Sequence, residues 1–332
     1  EFNKNYYGNL NSYIAGVLFN RQKEQPNSLI AKDAEKYARF GINEAENKIK
    51  KLPKDAKPQK IYELQLEPTN ILADVLMSQE KLDEAEKLLL KASAMKDDTE
   101  SQNFILDYAH RYTEQLWAKL YTAKKDWAKA EEFYLKTSNE DEDVIKETFE
   151  KFYEKKTGKK DGFAEYFAEI QQKLKIIAKE KVAQSRIKAA KEMIPFSLKT
   201  IEDKTVSSVD LKGKVVVINV WGVWCGPCVA EMPELQKVFD KYKNDKEVEI
   251  LTIDFNDELA KVKKFIAEKK YTLPVLLEDN YIFKTPQFSS SAVFPTTLFI
   301  DKSGKVSFVV VGASSDLFET FSWRIDALKV DK

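Results

Sequence analysis

Residues 215–228 read VVVINVWGVWCGPC, and this stretch decides the fold of the C-terminal part of the chain. Residues 215–221 are apolar and rich in β-branched side chains, which is typical of a strand buried on both faces. A glycine and a Gly-Pro pair then interrupt the pattern. Residues 231–243 follow with apolar side chains at helical spacing. The stretch therefore predicts a strand, a sharp turn and a helix, with two cysteines where the helix begins.

The two cysteines of this turn, Cys225 and Cys228, are the only cysteines among the 332 residues. A Cys-x-x-Cys pair that follows a strand and opens a helix is typical of a thiol–disulfide redox site. Unpaired backbone N–H groups and the positive end of the helix dipole favour a thiolate there, and the thiolate is the attacking species. We therefore expect Cys225 to be the nucleophile and Cys228, one turn further along, to be the resolving thiol.

Two other interpretations of the cysteine pair stay open, with less support. A structural disulfide closing so short a loop would remove little entropy from the unfolded chain, because this stabilisation grows with loop length. A zinc site needs about four ligands, and His110 is the only histidine available besides the two cysteines. We expect neither a bound metal nor a cofactor.

The residues around the cysteines resemble the thioredoxin-like fold, and within it the extracytoplasmic TlpA/ResA-type thiol–disulfide reductases. The matching segments are PFSL at 195–198, DLKGK at 210–214, VINVW at 217–221, WCGPC at 224–228, EMPEL at 231–235, FPTT at 294–297 and DKSGK at 301–305. They all lie within residues 194–332, about two-fifths of the chain. The resemblance implies an α/β domain with a central mixed sheet flanked by helices, and protein-disulfide oxidoreductase activity.

The resemblance also implies a substrate-binding face around the dithiol. Pro295 matches the family's cis-proline, beside which backbone groups pair with an extended substrate, and Phe294 precedes it. Trp224 is expected to be an exposed apolar platform on which substrates dock. Gly226 and Pro227, between the cysteines, match the dipeptide of thioredoxin.

We expect one carboxyl group, that of Glu231, to transfer protons at the site. Glu231 matches the acidic residue that this subfamily places just after the second cysteine, where it could raise a thiol pKa or move its proton. Asn219 stands where thioredoxin has a buried aspartate, and an amide cannot titrate. The simpler alternative is that Glu231 only complements the helix dipole.

A peroxiredoxin is the nearest alternative enzyme, and the residues disagree with it. Its reactive cysteine is preceded by a threonine three positions back and by a proline further upstream. Gly222 and Ile218 occupy those positions here. The sequence therefore favours a dithiol exchange site.

Residues 1–193 predict a separate, all-helical domain ahead of the redox domain at 194–332. Charged and apolar residues recur at helical spacing, which predicts helices at 5–22, 28–51, 59–78, 81–95, 100–123, 126–137, 142–156 and 161–191. The segments INEAE at 42–46, LDEAE at 82–86 and WAKAE at 127–131 resemble one another. This weak repetition favours an array of helical hairpins, degenerate and tetratricopeptide-like, which usually offers a surface to a protein partner.

Composition narrows the function classes. The chain has 54 basic and 54 acidic residues, so nothing indicates a nucleic-acid partner. No apolar run approaches the ~20 residues of a membrane span. The resemblance places the protein outside the cytoplasmic membrane, in the periplasm or cell envelope, with a lipid anchor as one form of attachment. It also implies a membrane-embedded thiol-transfer protein as electron donor.

We therefore expect an enzyme that mainly reduces disulfides of client proteins. Two alternatives remain at this point. In the first, the helical array is the working part and the redox domain holds or senses one client. In the second, the same dithiol works as an oxidase or isomerase.

Overall fold

The computed structural model describes residues 10–24, 28–95, 104–138, 141–278, 281, 293–314 and 316–330. By its contacts the chain separates into two compact units, the first ending at Leu174 and the second beginning at Lys175. This division falls within the eighth helix, ahead of the 193/194 boundary expected from the sequence.

The N-terminal unit is helical, as predicted. Its helices are α1 (Leu10–Glu24), α2 (Ser28–Ile49), α3 (Pro58–Ser78), α4 (Leu82–Ser93), α5 (Phe104–Ala123), α6 (Trp127–Thr137), α7 (Glu142–Thr157) and α8 (Phe163–Gln184), of which α8 continues into the second unit. The ends expected at 5–9 and 100–103 lie outside the described residues.

Local sequence fixes several of these helix ends. Pro58 opens α3, where its missing N–H costs nothing. The Asp126 and Asp141 side chains accept hydrogen bonds from the first free amides of α6 and α7. Gly158 ends α7 with a φ of 70°, which glycine adopts without strain.

The apolar faces of these helices pack around small residues. Ala45, Ala85 and Ala130, the alanines of the three similar segments, are at most 1% exposed. Leucines from the three helices α3, α4 and α5 form a common core with Trp117. A buried alanine lets neighbouring helices approach closely, so the segments share a packing role. Their tetratricopeptide-like relationship stays a prediction.

Helix α8 is shorter than the sequence predicts. It ends at Gln184 instead of residue 191. Beyond it, the Ile187 amide donates to the Ser307 carbonyl at 2.8 Å, and the Met193 amide donates to the Gly304 carbonyl at 2.9 Å. These bonds to a sheet outweigh the local helix propensity of 185–191.

The C-terminal unit is built on a five-stranded mixed sheet of order β5-β4-β3-β6-β7. The strands are β3 (Val215–Trp221), β4 (Val248–Asp254), β5 (Val275–Leu277), β6 (Thr296–Ile300) and β7 (Val306–Val311). Strands β3, β4 and β5 run parallel, whereas β6 and β7 are antiparallel to their neighbours. This arrangement confirms the α/β thioredoxin-like class. The short strand β5 was not anticipated from the sequence.

The two faces of this sheet are covered differently. Helices α9 (Gly226–Tyr242), α10 (Leu259–Lys269) and α11 (Leu317–Lys329) contribute to one apolar core. On the other face, the described residues that cover the sheet come mainly from the segment ahead of β3, such as Phe196 and Leu198. That segment contains a small hairpin, β1 (Ser197–Lys199) and β2 (Thr205–Ser207).

The same leading segment also reaches both edges of the sheet. Thr200 forms an antiparallel bridge with Leu276 of the edge strand β5, and Glu192 forms one with Lys305 just before β7. The Ile187 and Met193 amides add the two bonds described above. No helix among the described residues is long and apolar enough to cross a membrane.

Candidate active site

The candidate site lies at the carboxyl end of β3, where the chain leaves the sheet. All seven residues of β3 are buried, and the strand pairs with β4 on one side and β6 on the other. This central position gives the following loop, residues 222–225, a rigid support. Helix α9 begins directly after that loop.

Gly222 opens the loop and leaves room for the side chain of Trp224. A Cβ atom at position 222 would lie 2.5 Å from the indole nitrogen, closer than real contacts allow. The indole N–H donates to the Phe255 carbonyl at 3.0 Å. The Trp224 side chain is nevertheless 52% exposed. Its orientation is therefore fixed while about half of its surface faces solvent.

The two cysteines form a disulfide, with their Cα atoms 5.3 Å apart. Cys225 is the N-cap residue of α9, and its Sγ accepts the Cys228 amide at 3.3 Å. Cys228 is fully buried, whereas 5% of Cys225 is exposed. The amide at the helix start therefore points at the sulfur expected to attack.

An aromatic face adjoins the disulfide loop. The Phe294–Pro295 peptide bond is cis, and the Phe294 ring meets the Trp224 ring edge-on at 5.5 Å between centroids. Phe255, which follows β4, stacks on Phe294 at 4.9 Å. Three loops thus contribute to one apolar surface, which we call the aromatic face (Trp224, Phe255 and Phe294).

Glu231 belongs to a buried polar chain that links three elements. Its Oε1 accepts a hydrogen bond from the Asn219 side chain of β3 at 2.9 Å, and the same Asn219 nitrogen donates to Thr297 Oγ1 of β6 at 2.9 Å. Glu231 is 5% exposed, and Asn219 is fully buried. Glu231 also lies three residues after Cys228 on α9, so the two side chains are neighbours on one helix face.

Burial raises the pKa of Glu231 to about 7, although the hydrogen bond from Asn219 acts in the opposite direction. Among the described residues, no lysine or arginine pairs with this carboxyl. A buried carboxyl with a pKa near neutrality can both release and accept a proton under physiological conditions.

A second acidic site, which was not predicted from the sequence, lies behind the disulfide loop. Asp254 ends β4 opposite Trp221, and Asp257 follows three residues later. One oxygen of Asp257 accepts the Val223 amide at 2.6 Å, and the other pairs with the Lys261 ammonium group. The Asp257 amide donates to Asp254 at 3.3 Å. Burial, together with the charge of Asp257, raises the pKa of Asp254.

The structure therefore brings the expected site residues to one end of the sheet. Five of them lie in sequence from the disulfide loop into α9, namely Cys225, Gly226, Pro227, Cys228 and Glu231. Phe294 reaches them through its contact with Trp224. A signal for the missed pair was present, because two aspartates, Asp254 and Asp257, stand at and just after the end of β4. The described residues contain no group of three or more His, Cys, Asp or Glu side chains placed to hold a metal.

Comparison with known proteins places similarity in the same part of the chain. The model of the AhpC/TSA family matches residues 189–309. A thiol–disulfide oxidoreductase ResA of Bacillus cereus is 35% identical over 129 residues, which cover 39% of this chain and 73% of the relative. The ResA of Oceanobacillus iheyensis is 38% identical over 122 residues, covering 36% of this chain and 62% of the relative.

Solved structures give a similar range of coverage. A thiol:disulfide interchange protein of the thioredoxin family from Chlorobium tepidum TLS is 26% identical, with a TM-score of 0.39. The alignment covers 43% of this chain and 98% of that structure. Residues 1–188 lie outside the match to the family model.

Proposed function

Because this chain belongs, through its C-terminal part, to the ResA family of thiol–disulfide oxidoreductases, we propose that it reduces disulfides of client proteins through the Cys225–Cys228 dithiol. The observation that carries the proposal is the position of the pair at the start of α9. There Cys225 caps the helix, and its sulfur accepts a hydrogen bond from the backbone amide of Cys228. The proposed redox domain comprises residues 194–332, preceded by a helical domain at 1–193.

The reaction begins from the reduced dithiol. The Cys225 thiolate attacks one sulfur of a client disulfide, forms a mixed disulfide and displaces the other client sulfur as a thiolate, which takes up a proton. Cys228 then loses its proton and attacks Cys225, which releases the second client thiol. Two electrons pass to the client, and the enzyme is left with the Cys225–Cys228 disulfide described above.

Glu231 supports the second step as a proton acceptor. Cys228 must lose its thiol proton to become a nucleophile, and it is fully buried away from solvent. The neighbouring carboxyl, whose pKa is near 7, can accept that proton and return one when the dithiol is regenerated. The Asn219 amide holds the carboxyl in place, and because the amide is neutral it does not hold the carboxyl in one protonation state.

The aromatic face and the cis-proline receive the client chain. Trp224 and Phe294 offer apolar surface for side chains beside the client cysteine. Pro295 brings backbone groups next to the dithiol, where an extended segment can pair with them. Gly226 and Pro227 separate the cysteines as in thioredoxin, a reductant whose potential is about −270 mV. This dipeptide supports the reducing direction.

The proposal has three further parts, of which the resemblance supports the first two and the helical array supports the third. The protein works outside the cytoplasmic membrane, where client proteins acquire disulfides. A membrane-embedded thiol-transfer protein returns electrons to the dithiol. The helical domain offers its surface to a protein partner of the reaction.

Reduction of insulin disulfides by the full chain, with dithiothreitol as electron source, tests the proposal. We expect the wild-type protein to accelerate insulin reduction and Cys225→Ser to fall to the rate of dithiothreitol alone. Cys228→Ala that is reduced beforehand and freed of dithiothreitol should instead form a covalent complex with the client, which added dithiothreitol separates. An unchanged rate in Cys225→Ser would refute the assignment of the nucleophile.

The reduction potential of the dithiol tests the direction. Equilibration with dithiothreitol buffers should give a value near that of thioredoxin. A value near the about −120 mV of DsbA would instead make the protein an oxidant of its clients.

A further inference from the structure

The loop after β4 joins the parts of the active site to one another. Residues 254–257 form this turn, with Asn256 at a φ of 65°. Its Phe255 amide donates to the Trp221 carbonyl at 2.8 Å, and its Phe255 carbonyl accepts the Trp224 indole at 3.0 Å. The turn is therefore bonded to the last residue of β3, before Val223, and to Trp224 of the disulfide loop, after it.

Asp257 supplies a third hydrogen bond, to Val223, which lies between the other two contacts in the sequence. Its Oδ2 lies 2.6 Å from the Val223 amide nitrogen, two residues ahead of Cys225. The Asp257 side chain is only 2% exposed, whereas the Lys261 side chain that pairs with it is 50% exposed. Hydrogen bonds from a backbone amide to a buried, ion-paired carboxylate are among the stronger ones in proteins.

Capping of α10 does not explain this placement. The N-cap residue of α10 is Glu258, and it makes no side-chain cap bond. The Asp257 carboxylate points instead at the loop that carries Trp224. Phe255, from the same turn, supports Phe294 through their stacked rings. The turn thus orients two members of the aromatic face and contributes the third.

We propose that Asp257 is a positioning residue for client docking, which fixes the Val223–Trp224 segment so that the aromatic face meets an incoming protein disulfide. It does not touch the sulfur atoms. Its removal should therefore weaken recognition of protein disulfides and leave the intrinsic reactivity of the dithiol largely intact. The inference rests on the proposed reaction with protein clients and names a residue that acts within it.

Two substrates separate docking from thiol chemistry. Insulin presents a protein disulfide, whereas 5,5′-dithiobis(2-nitrobenzoic acid), abbreviated DTNB, is a small disulfide that needs no docking face. For Asp257→Ala in the full chain, we expect kcat/KM with insulin to fall at least about 10-fold, mainly through KM. The rate with DTNB should stay within about 2-fold of wild type, since a docking contact adds nothing to it.

Asp257→Asn is the matched control. Its side-chain oxygen can still accept the Val223 amide, although the charge is lost, so we expect insulin kinetics within about 3-fold of wild type. Equal losses with insulin and DTNB in Asp257→Ala would overturn the inference, because Asp257 would then act on the dithiol or on the fold. Unchanged kinetics with both substrates would also overturn it.

A measurement on the wild-type protein remains decisive if Asp257→Ala does not fold. Hydrogen exchange followed by NMR should show the Val223 amide strongly protected, as expected of a donor to a buried carboxylate. Exchange as fast as in an exposed loop would refute the positioning role. Failure of the wild-type protein to reduce insulin would instead refute the proposed function. The role of Asp257 alone is tested by the ratio of variant to wild-type rates and by the hydrogen exchange of the Val223 amide.

Discussion

Two buried acidic sites lie beside the dithiol, and they are built in opposite ways. Glu231 is held by the neutral amide of Asn219, without a cation among the described residues. Asp257 is held by the Lys261 ammonium group and by the Val223 amide. A neutral partner leaves both protonation states of a carboxyl accessible, whereas a cation and an amide donor together stabilise a carboxylate in one place. The first site suits proton transfer, and the second suits holding a loop.

The largest effect that would sharpen this contrast is expected from Glu231→Gln. The variant keeps an acceptor for Asn219 but cannot take the Cys228 proton, so resolution of the mixed disulfide should slow by about 100-fold, the lower range for general base catalysis. Stopped-flow analysis of client release measures this step. Glu234→Gln, three residues further along α9 in an exposed ion pair with Lys237, is the control and should behave as wild type.

Equal resolution rates in Glu231→Gln and Glu234→Gln would break the contrast. The effect should also depend on pH in a defined way. The wild-type rate should rise as the pH approaches 7 from below, because Glu231 must be ionised to accept a proton. The wild-type rate should level off above pH 7, whereas the residual rate of Glu231→Gln should keep rising with pH, because Cys228 then loses its proton directly to solvent.

A smaller effect is expected in the pH dependence of stability. The pKa of Glu231 is about 7 in the fold against an ordinary value of 4.5, so between these values the fold holds a proton that the unfolded chain has released. This stabilising contribution is complete below the lower value and is lost as the pH rises through about 7. Wild type should therefore lose about 1–3 kcal/mol relative to Glu231→Gln between pH 4.5 and 8.

Urea unfolding of the disulfide form of both proteins at several pH values measures this difference. The contribution of Asp254, whose pKa is also raised, is common to both proteins and cancels. Parallel stability curves for wild type and Glu231→Gln would show that Glu231 is not held in an environment that favours its protonated form.

The smallest expected effect concerns Asn219. Its hydrogen bond lowers the pKa of Glu231, so Asn219→Ala should raise that pKa and move the pH midpoint of client release upward by roughly 0.5–1 pH unit. Thr297→Val is the control, because it removes the second acceptor of Asn219 but leaves the bond to Glu231 possible. A midpoint that stays in place or moves to lower pH contradicts a direct role of the amide.

The two sites also differ in how far sequence could predict them. A role for Glu231 was expected from the family resemblance, which pairs an acidic residue with the second cysteine. Its place one helical turn after Cys228 then predicts that the two side chains are neighbours. Asp257 contacts Val223 across 34 residues. Only the parallel pairing of β3 with β4 brings them together, and no local pattern encodes that approach. Charged residues after a strand resemble an ordinary solvated loop.

The same distinction holds for the fold. The helices of the N-terminal half and the strand–turn–helix around the cysteines follow from local periodicity and were predicted with small errors at the ends. Strand β5 was missed because three residues after Pro274 carry too little pattern. The predicted end of α8, residue 191, lies too far along the chain. Beyond Gln184 the Ile187 amide donates to the Ser307 carbonyl of a distant strand instead of to a carbonyl of the helix. Misses occurred where tertiary contacts outweighed local preference.

The leading segment that bridges Thr200 to Leu276 and Glu192 to Lys305 has a consequence for a protein that handles other chains. A sheet edge with free amides and carbonyls is a template for strand addition, and oxidised or partly folded chains carry strands ready to add. Here the chain occupies part of both edges with its own backbone. Fewer amides and carbonyls of the sheet edges are therefore left free to pair with a strand of another chain.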